Sequence, residues 1–308
     1  MNFQQLEYIV AVNKFSHFAM AADYCGVTQP TLSSMVQKLE DELDVKIFER
    51  TNKSVKPTTI GLKVIKQAQV VINEMKRIKE VIADETETTQ GTLNIGIVPT
   101  VAPYVVPNFI FDFRQYYPNV VLNINEMKSK VLFNELKIGT IEVGIGVGHQ
   151  GIPGILEIPL FTEKFVLYFS KNCMNKRYIF TPDTLTSEHM WILKEGHCLQ
   201  EASFSFCKAR AMGHHIYEAG SIETLINIVD KNGGYTIIPE LHKQFLRPEQ
   251  LEQVKEIEGT TGTYRNVYMY IKEDYVRERM LNAIGETIKR IIPRRMLDKH
   301  LQEYGIKL

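Results

Sequence analysis

An excess of charge of either sign is missing from this chain: 36 Lys and Arg meet 36 Asp and Glu, for a formal net charge of +0. No whole-chain electrostatic attraction to nucleic acid can follow, so any basic surface must be local. Cysteine is scarce as well. Four residues in 308 (Cys25, Cys173, Cys198 and Cys207) exclude a secreted disulfide scaffold, and in a reducing compartment such thiols are either reactive or merely buried. No apolar run approaches the roughly 18 residues of a membrane span. The opening MNFQQLEYIVAV carries neither a basic leader nor a small-residue cleavage site, so the expectation is a cytoplasmic chain with no membrane partner. Internal repeats and low-complexity tracts are absent. What remains, 44% hydrophobic and 23% charged residues, is the composition of an ordinary globular protein of two or three domains.

The first 58 residues read as a domain of short helices. Leu6, Ile9, Val10 and Phe15 recur at helical spacing, Phe18 and Ala22 continue in a second helix, and Gly26 closes it. Thr28 caps a third helix that has Pro30 in its first turn, where a missing N–H is harmless. Two helices joined by a short Gly-containing turn form a helix-turn-helix. The third helix has one apolar side (Leu32, Met35, Val36, Leu39). Its other side, Gln29, Thr31, Ser33, Ser34, Gln37 and Lys38, offers donors and acceptors for base edges and phosphates, and Pro30 is expected to lie with them at the DNA. Beyond it Lys46, Arg50, Lys53, Lys56, Lys63 and Lys66 are interrupted by one acid, Glu49. This is the local basic patch, and Lys53 to Pro57 reads as the hairpin wing of a winged helix. A solvated charged surface is the plainer reading; turn, cap and polar face in register favour DNA.

Residues 59 to 90 read as a linker helix and hinge. Val64, Ala68, Val71, Met75, Ile78 and Ile82 alternate four and three apart, the seam of a two-stranded coil. A single amphipathic helix packed on its own protein is the competing reading, and the narrow seam favours a dimer. The polar run Glu85 to Gly91 then breaks the helix. From 91 to 308 strands at Leu93–Val98, Val120–Asn125 and Ile141–Val147 alternate with helices at Pro103–Phe113 and Lys130–Leu136, predicting a mainly parallel sheet. A second set follows: strands at Lys164–Ser170, Met190–Leu193, His215–Glu218 and Tyr235–Ile238, and a helix at Ser221–Lys231. Tyr264–Ile271 and a final helix from Val276 to Ile292 return to the first. Two α/β lobes crossed twice by the chain leave a cleft for a small ligand, the layout of periplasmic solute-binding proteins.

Cys198 follows Gly196-His197 and precedes a helical stripe of Leu199, Ala202 and Phe206, so it falls near a helix N-terminus, a position that favours a thiolate. A thiolate is the form that attacks peroxide. Two cysteines buried in an apolar core explain the same spacing, which leaves both readings open. If residues 198 to 207 are helical, their Cα atoms lie about 13.5 Å apart, whereas a disulfide needs roughly 4.4 to 6.8 Å. Closing such a bond would unwind the segment. His214 and His215 have no third partner at ligand spacing, and neither a metal nor a cofactor is expected.

Ala21-Ala22 before the turn, Val27 to Ser33 and Leu39-Glu40-Asp41-Glu42-Leu43 after it resemble the DNA-binding domain of LysR-type transcriptional regulators. Ile97-Val98-Pro99-Thr100, Gly196 to Leu199, Phe206-Cys207 and Ser221 to Leu225 extend the resemblance over the whole chain, toward the family's hydrogen-peroxide-sensing branch. The resemblance implies a winged helix-turn-helix, a linker helix and a two-lobed regulatory domain. It also implies a peroxidatic Cys198, a resolving Cys207, and a pocket of Thr100, His197 and Arg265, with Ser129 where relatives often carry Thr. Gln200 departs from the Arg many relatives have there, leaving Arg265 and the helix end to lower the thiol pKa. The implied protein is no enzyme but a homotetrameric regulator of oxidative-stress genes. Its partners would be promoter DNA, RNA polymerase and a thiol reductant such as glutaredoxin or thioredoxin. A LysR-type regulator answering to an organic co-inducer in the cleft is the rival, against which Cys198 and Cys207 speak. A thiol peroxidase is a second, against which the helix-turn-helix speaks.

Overall fold

Local capping chemistry starts the chain. Asn2 accepts from the Gln5 backbone N–H at 3.0 Å while the Gln5 side chain accepts from the Asn2 N–H at 2.8 Å, a reciprocal box that opens α1 (Phe3–Phe15). Helices α2 (Phe18–Cys25) and α3 (Gln29–Leu43) follow. Gly26 turns the chain between them at φ 68°, a left-handed conformation that a side chain would strain. The Thr28 hydroxyl then accepts the Thr31 N–H at 3.4 Å, with Pro30 in the first turn. Ile9, Val12, Ala21, Leu32, Val36 and Leu39 form the core of this three-helix head. Strands β1 (Phe48–Thr51) and β2 (Ser54–Pro57) pair antiparallel as the wing, and α4 (Thr59–Glu85) leaves it. Thr58 fixes that exit, donating to the Lys46 carbonyl at 2.6 Å and accepting the Gly61 N–H at 2.9 Å. Gly61 is obligatory here, because a Cβ would lie 2.0 Å from the Ile47 carbonyl oxygen.

The computed structural model describes residues 1–51, 54–85, 89–173, 190–193, 216–217, 221–258, 263–304 and 306. They form two compact units, Met1–Thr86 with Lys137–Thr140, and Glu87–Leu136 with Ile141–Leu308.

In the second unit β3 (Gly91–Ile97) pairs in parallel with β4 (Val120–Glu126) and β5 (Val143–Val147), joined through α5 (Ala102–Tyr116) and α6 (Ser129–Ile138). The expected mainly parallel sheet is corrected beyond this point: β6 (Ile155–Phe169), β9 (Tyr235–Pro239), β10 (Val254–Glu256) and β11 (Tyr264–Lys272) all join antiparallel. The path runs β10-β6-β11-β5-β3-β4, with β9 also on β6. The two-residue β7 (Ile192–Leu193) and β8 (Ile216–Tyr217) pair in parallel apart from it.

Strand β6 begins nine residues before the Lys164 start that the sequence predicts. Its first half hides because Pro159 interrupts the apolar pattern; the register of β11 shifts between Val267 and Tyr268 to pass it. At 15 residues, roughly 50 Å of extended chain, β6 serves both lobes: its first half pairs with β11 and its second with β9 and β10.

Leu93, Ile95, Phe109, Phe113, Leu132, Met269 and Ile284 share the larger core. A smaller one, with Val166, Tyr168, Ile226, Val229 and Ile238, belongs to the second lobe. Helix α7 (Ile222–Asn232), capped by Ser221, covers that second core. A tight turn at Glu240–Phe245 and a short α8 (Pro248–Leu251) follow β9. Helix α9 (Glu278–Ile291) packs on α5, and α10 (Lys299–Tyr304) ends the fold.

Candidate functional sites

On α3 the apolar stripe is buried and the opposite side is open. Gln29, Pro30, Thr31, Ser34 and Lys38 are exposed, and Ser33 and Gln37 are half-buried. Thr31 and Gln37 are already engaged: the Thr31 hydroxyl lies 2.8 Å from that of Thr28, and Gln37 donates to Asp41 at 2.6 Å. Arg50 lies on β1, and Lys53 at the wing tip falls outside the described residues. Lys56 on β2 is exposed.

A residue the sequence reading passed over holds the wing. Glu40 is 2% exposed, and its Oε1 accepts the backbone N–H of Ile47 at 2.7 Å and of Phe48 at 3.0 Å, with Lys46 Nζ 3.4 Å from Oε2. It thereby locks the first residue of β1 to α3, fixing wing against reading helix. The signal was present: Leu32, Val36 and Glu40 follow one another at helical spacing, so an acid sits on the buried stripe.

The seam of α4 divides. Ala68 is 3% exposed and belongs to the head's own core with Ile65 and Ile72, and Val64 packs against that core. Val71, Met75 and Ile78 are exposed at 39%, 47% and 63%. The side chain of Ile82 lies outside the described residues. The first turns of this helix therefore pack on their own protein, and the later ones present an apolar stripe to solvent.

In the regulatory unit, three predicted pocket residues come to one edge of the sheet. Thr100 follows β3, Ser129 opens α6 after the neighbouring parallel β4, and Arg265 is the second residue of β11, which runs antiparallel beside β5. That is the carboxyl edge of the parallel strands, where open α/β sheets bind ligands. Thr100 and Arg265 touch: the guanidinium Nη2 donates to the Thr100 carbonyl at 3.0 Å. Ser129 is half-buried at the start of its helix. His197, Cys198, Gln200 and Cys207 lie outside the described residues.

The Thr100 side chain is the unusual feature. It is 4% exposed, and its hydroxyl is one of the few buried polar atoms among the described residues with no hydrogen-bond partner. A buried hydroxyl without a partner loses on the order of 1–3 kcal/mol, a deficit a small polar ligand would remove.

Arg265 is 1% exposed and fully paired. Glu163, directly opposite in strand register, accepts its Nε at 2.7 Å and meets Nη2 as well, and the other Glu163 oxygen takes the Leu241 N–H at 3.2 Å. Tyr104 and Phe165 place their rings 5.9 Å from the guanidinium carbon. The Tyr104 hydroxyl is 3.0 Å from Nδ1 of His242, and burial, with the Arg265 charge behind it, lowers the His242 pKa to about 4. His242 is neutral at physiological pH.

Beside this cluster a cleft of about 600 Å3 separates the lobes, with Pro99, Tyr104 and Glu126 on one wall and Ser221, Asn227 and Arg247 on the other.

The remaining cysteines are ordinary. Cys25 is half-buried against the head core, and burial, then Glu7, raises its thiol pKa, which keeps it protonated. Exposed Cys173 accepts the Gly234 N–H at 3.2 Å. No cluster of metal-ligating side chains and no helix long and apolar enough to span a membrane occurs among the described residues.

A head of this kind joined to a two-lobed α/β unit defines a class of transcriptional regulator. Residues 3–62 match the bacterial regulatory helix-turn-helix protein family of LysR type, and residues 86–291 match the LysR substrate binding domain; the chain belongs to the LysR family. Within that family it is similar to the hydrogen peroxide-inducible genes activator of Pectobacterium carotovorum subsp. carotovorum, at 37% identity over 78% of this chain and 80% of that protein. It is equally similar to the DNA-binding transcriptional dual regulator OxyR of Escherichia coli K12, also 37% identical over the same shares. A full-length OxyR variant from Pseudomonas aeruginosa superposes with a TM-score of 0.79 at 27% identity, covering 97% of this chain and 98% of that one.

Proposed function

We propose that this chain is a cytoplasmic, DNA-binding transcriptional regulator that detects hydrogen peroxide through a reversible Cys198–Cys207 disulfide and controls oxidative-stress genes. The observation that carries the reading is the buried, partnerless Thr100 hydroxyl whose own carbonyl holds Arg265. A site that excludes bulk water yet leaves a hydroxyl unsatisfied suits a ligand as small and polar as peroxide. The names of the 37% identical relatives support the same ligand.

In this mechanism the Cys198 thiolate attacks one peroxide oxygen and the O–O bond breaks, giving a sulfenic acid and hydroxide. The Cys207 thiol then displaces the sulfenic oxygen as water, leaving the disulfide. Thr100 and Arg265, with Ser129 and His197, hold the peroxide and the leaving oxygen. Closing the bond rearranges the segment between the cysteines and with it the pairing of regulatory lobes. A thiol reductant such as glutaredoxin or thioredoxin resets it.

On DNA, the exposed face of α3 reads base edges through Gln29, Pro30, Thr31, Ser33, Ser34, Gln37 and Lys38, while Arg50 and Lys53 of the wing meet phosphates. Val71, Met75 and Ile78 pair two chains, and lobe contacts join two pairs into a tetramer that spans a long, two-fold operator and meets RNA polymerase.

A second reading, a co-inducer regulator, draws on the 600 Å3 cleft, which is larger than peroxide needs. DNA footprinting separates the two. Peroxide should change the footprint of the wild-type chain and leave that of Cys198→Ser unaltered; a peroxide-dependent change in Cys198→Ser would move the sensor elsewhere and favour the cleft.

A further inference from the structure

We propose that Cys173 is a second peroxide-modified site, whose sulfenic acid is held in a cradle formed by the Ser170 hydroxyl and the Gly234 N–H. In its own bonding the thiol is plain: it is exposed, and its Sγ accepts the Gly234 N–H at 3.2 Å. The space beside the sulfur sets it apart. Ser170 is 2% exposed, and its hydroxyl joins that of Thr100 among the few buried polar atoms of the described residues with no hydrogen-bond partner. Sulfur and hydroxyl face one gap. A Cβ on Gly233 would lie 3.7 Å from Cys173 Sγ and 4.0 Å from Ser170 Oγ; the adjoining residues aside, no other heavy atom of the described residues comes within 4 Å of that point. Glycine leaves the point empty, and at a φ of 83° a side chain there would strain the backbone.

The walls of the gap are fastened to each other. The Ser170 N–H donates to the Gly234 carbonyl at 2.9 Å, the Cys173 N–H to the Ser170 carbonyl at 3.1 Å, and Trp191 Nε1 to the Gly233 carbonyl at 2.9 Å. They thus tie the end of β6 to the start of β9. This arrangement suits the oxidised sulfur better than the thiol, which leaves the Ser170 hydroxyl without an acceptor. The thiolate form of Cys173 attacks one oxygen of hydrogen peroxide; the S–O bond forms as the O–O bond breaks, and hydroxide leaves with the electron pair. Sulfur loses two electrons and peroxide gains them. The new oxygen, turned into the gap, accepts the Ser170 O–H while the Gly234 N–H holds the sulfur in place. On that side it is shielded from thiols that would condense with it, so the sulfenic acid persists.

The experiment gives the reduced full-length chain a short pulse of hydrogen peroxide, ends it with catalase, and adds dimedone after increasing delays. Peptide mass spectrometry then measures the sulfenic acid surviving at Cys173. In wild type a Cys173 adduct should form, and the trapped species should survive several-fold longer than in S170A. The reduced thiol should behave alike in both chains: iodoacetamide should label it at the same rate, and S170A should melt within about 2 °C of wild type, because its hydroxyl bonds nothing before oxidation. A merely structural role for Ser170 would shift melting and alkylation rather than the adduct lifetime alone. Equal lifetimes in the two chains, a larger fall in the S170A melting point, or no Cys173 adduct in wild type overturns the proposal. The signal is read on the Cys173 peptide, so it stands whether or not Cys198 and Cys207 pair.

Discussion

Removing the Glu40 carboxylate tests whether the wing is held to the reading helix as the geometry implies. The Oε1 atom accepts two backbone N–H groups, Ile47 at 2.7 Å and Phe48 at 3.0 Å, in a residue 2% exposed. Both donors would be left buried and unpaired in Glu40→Ala, at about 1–3 kcal/mol each. Lys46 adds little, since its side chain is 63% exposed. The head should therefore lose about 3–5 kcal/mol, which for a unit of this size lowers its melting point by more than 10 °C. Glu40→Gln keeps one acceptor oxygen and should lose about 1–2 kcal/mol. Thermal unfolding of the full chain gives the magnitude, and hydrogen exchange gives the location: protection at Ile47 and Phe48 should fall first. DNA affinity should weaken for specific and random sequences alike if, as proposed, the wing meets phosphates. An Ala variant that melts within about 2 °C of wild type and keeps protection at both amides would show that Glu40 does not hold the wing.

Thr100→Val should slow peroxide oxidation of Cys198 while DNA binding by the reduced form stands; equal rates in stopped flow would remove Thr100 from the pocket. Replacing Val71 and Ile78 by Asp should break the head-side pairing and yield weakly binding smaller species in analytical ultracentrifugation, and unchanged sedimentation would count against that stripe. Acid should destabilise the regulatory unit through His242. Its folded pKa, about 4, lies below its ordinary value, so the unfolded state takes up the proton first. The associated stability is intact above about pH 6.5 and is lost as pH falls toward 4, by up to about 3 kcal/mol. His242→Gln should flatten that decline in denaturation midpoints measured between those pH values.

The head was legible because its signals are local: the Thr28 cap, Pro30 and the Gly26 turn each act within four residues of themselves. Glu40 was passed over because its partners lie across a turn, though its place on the Leu32–Val36 stripe marked it. The α4 seam was legible only as a face. A four-three spacing describes the helix face without saying what covers it, and Ala68 is covered by its own head whereas Val71 is not. In the sheet, β3 to β5, β9, β11 and the second half of β6 were legible as strands, but not the antiparallel pairing of the later ones, which depends on contacts distant in sequence. Glu163 sits between Phe161 and Phe165, and Arg265 two before Val267, so each charge occupies an inward strand position. Such placement signals a buried pair, but only the register joins them. Thr100 and Arg265 were named through family resemblance; their hydrogen bond spans 165 residues of sequence separation, beyond any local pattern.

In the proposed mechanism, peroxide writes its signal as a bond between two particular sulfurs. Non-reducing peptide mapping of the native full-length chain, before and after one equivalent of hydrogen peroxide, measures this directly. Free Cys198 and Cys207 are expected beforehand, and afterwards a cross-linked peptide pair that a dithiol reductant separates, with Cys25 unmodified. Persistence of Cys198 as a free thiol, or oxidation confined to Cys25 or Cys173, would contradict it.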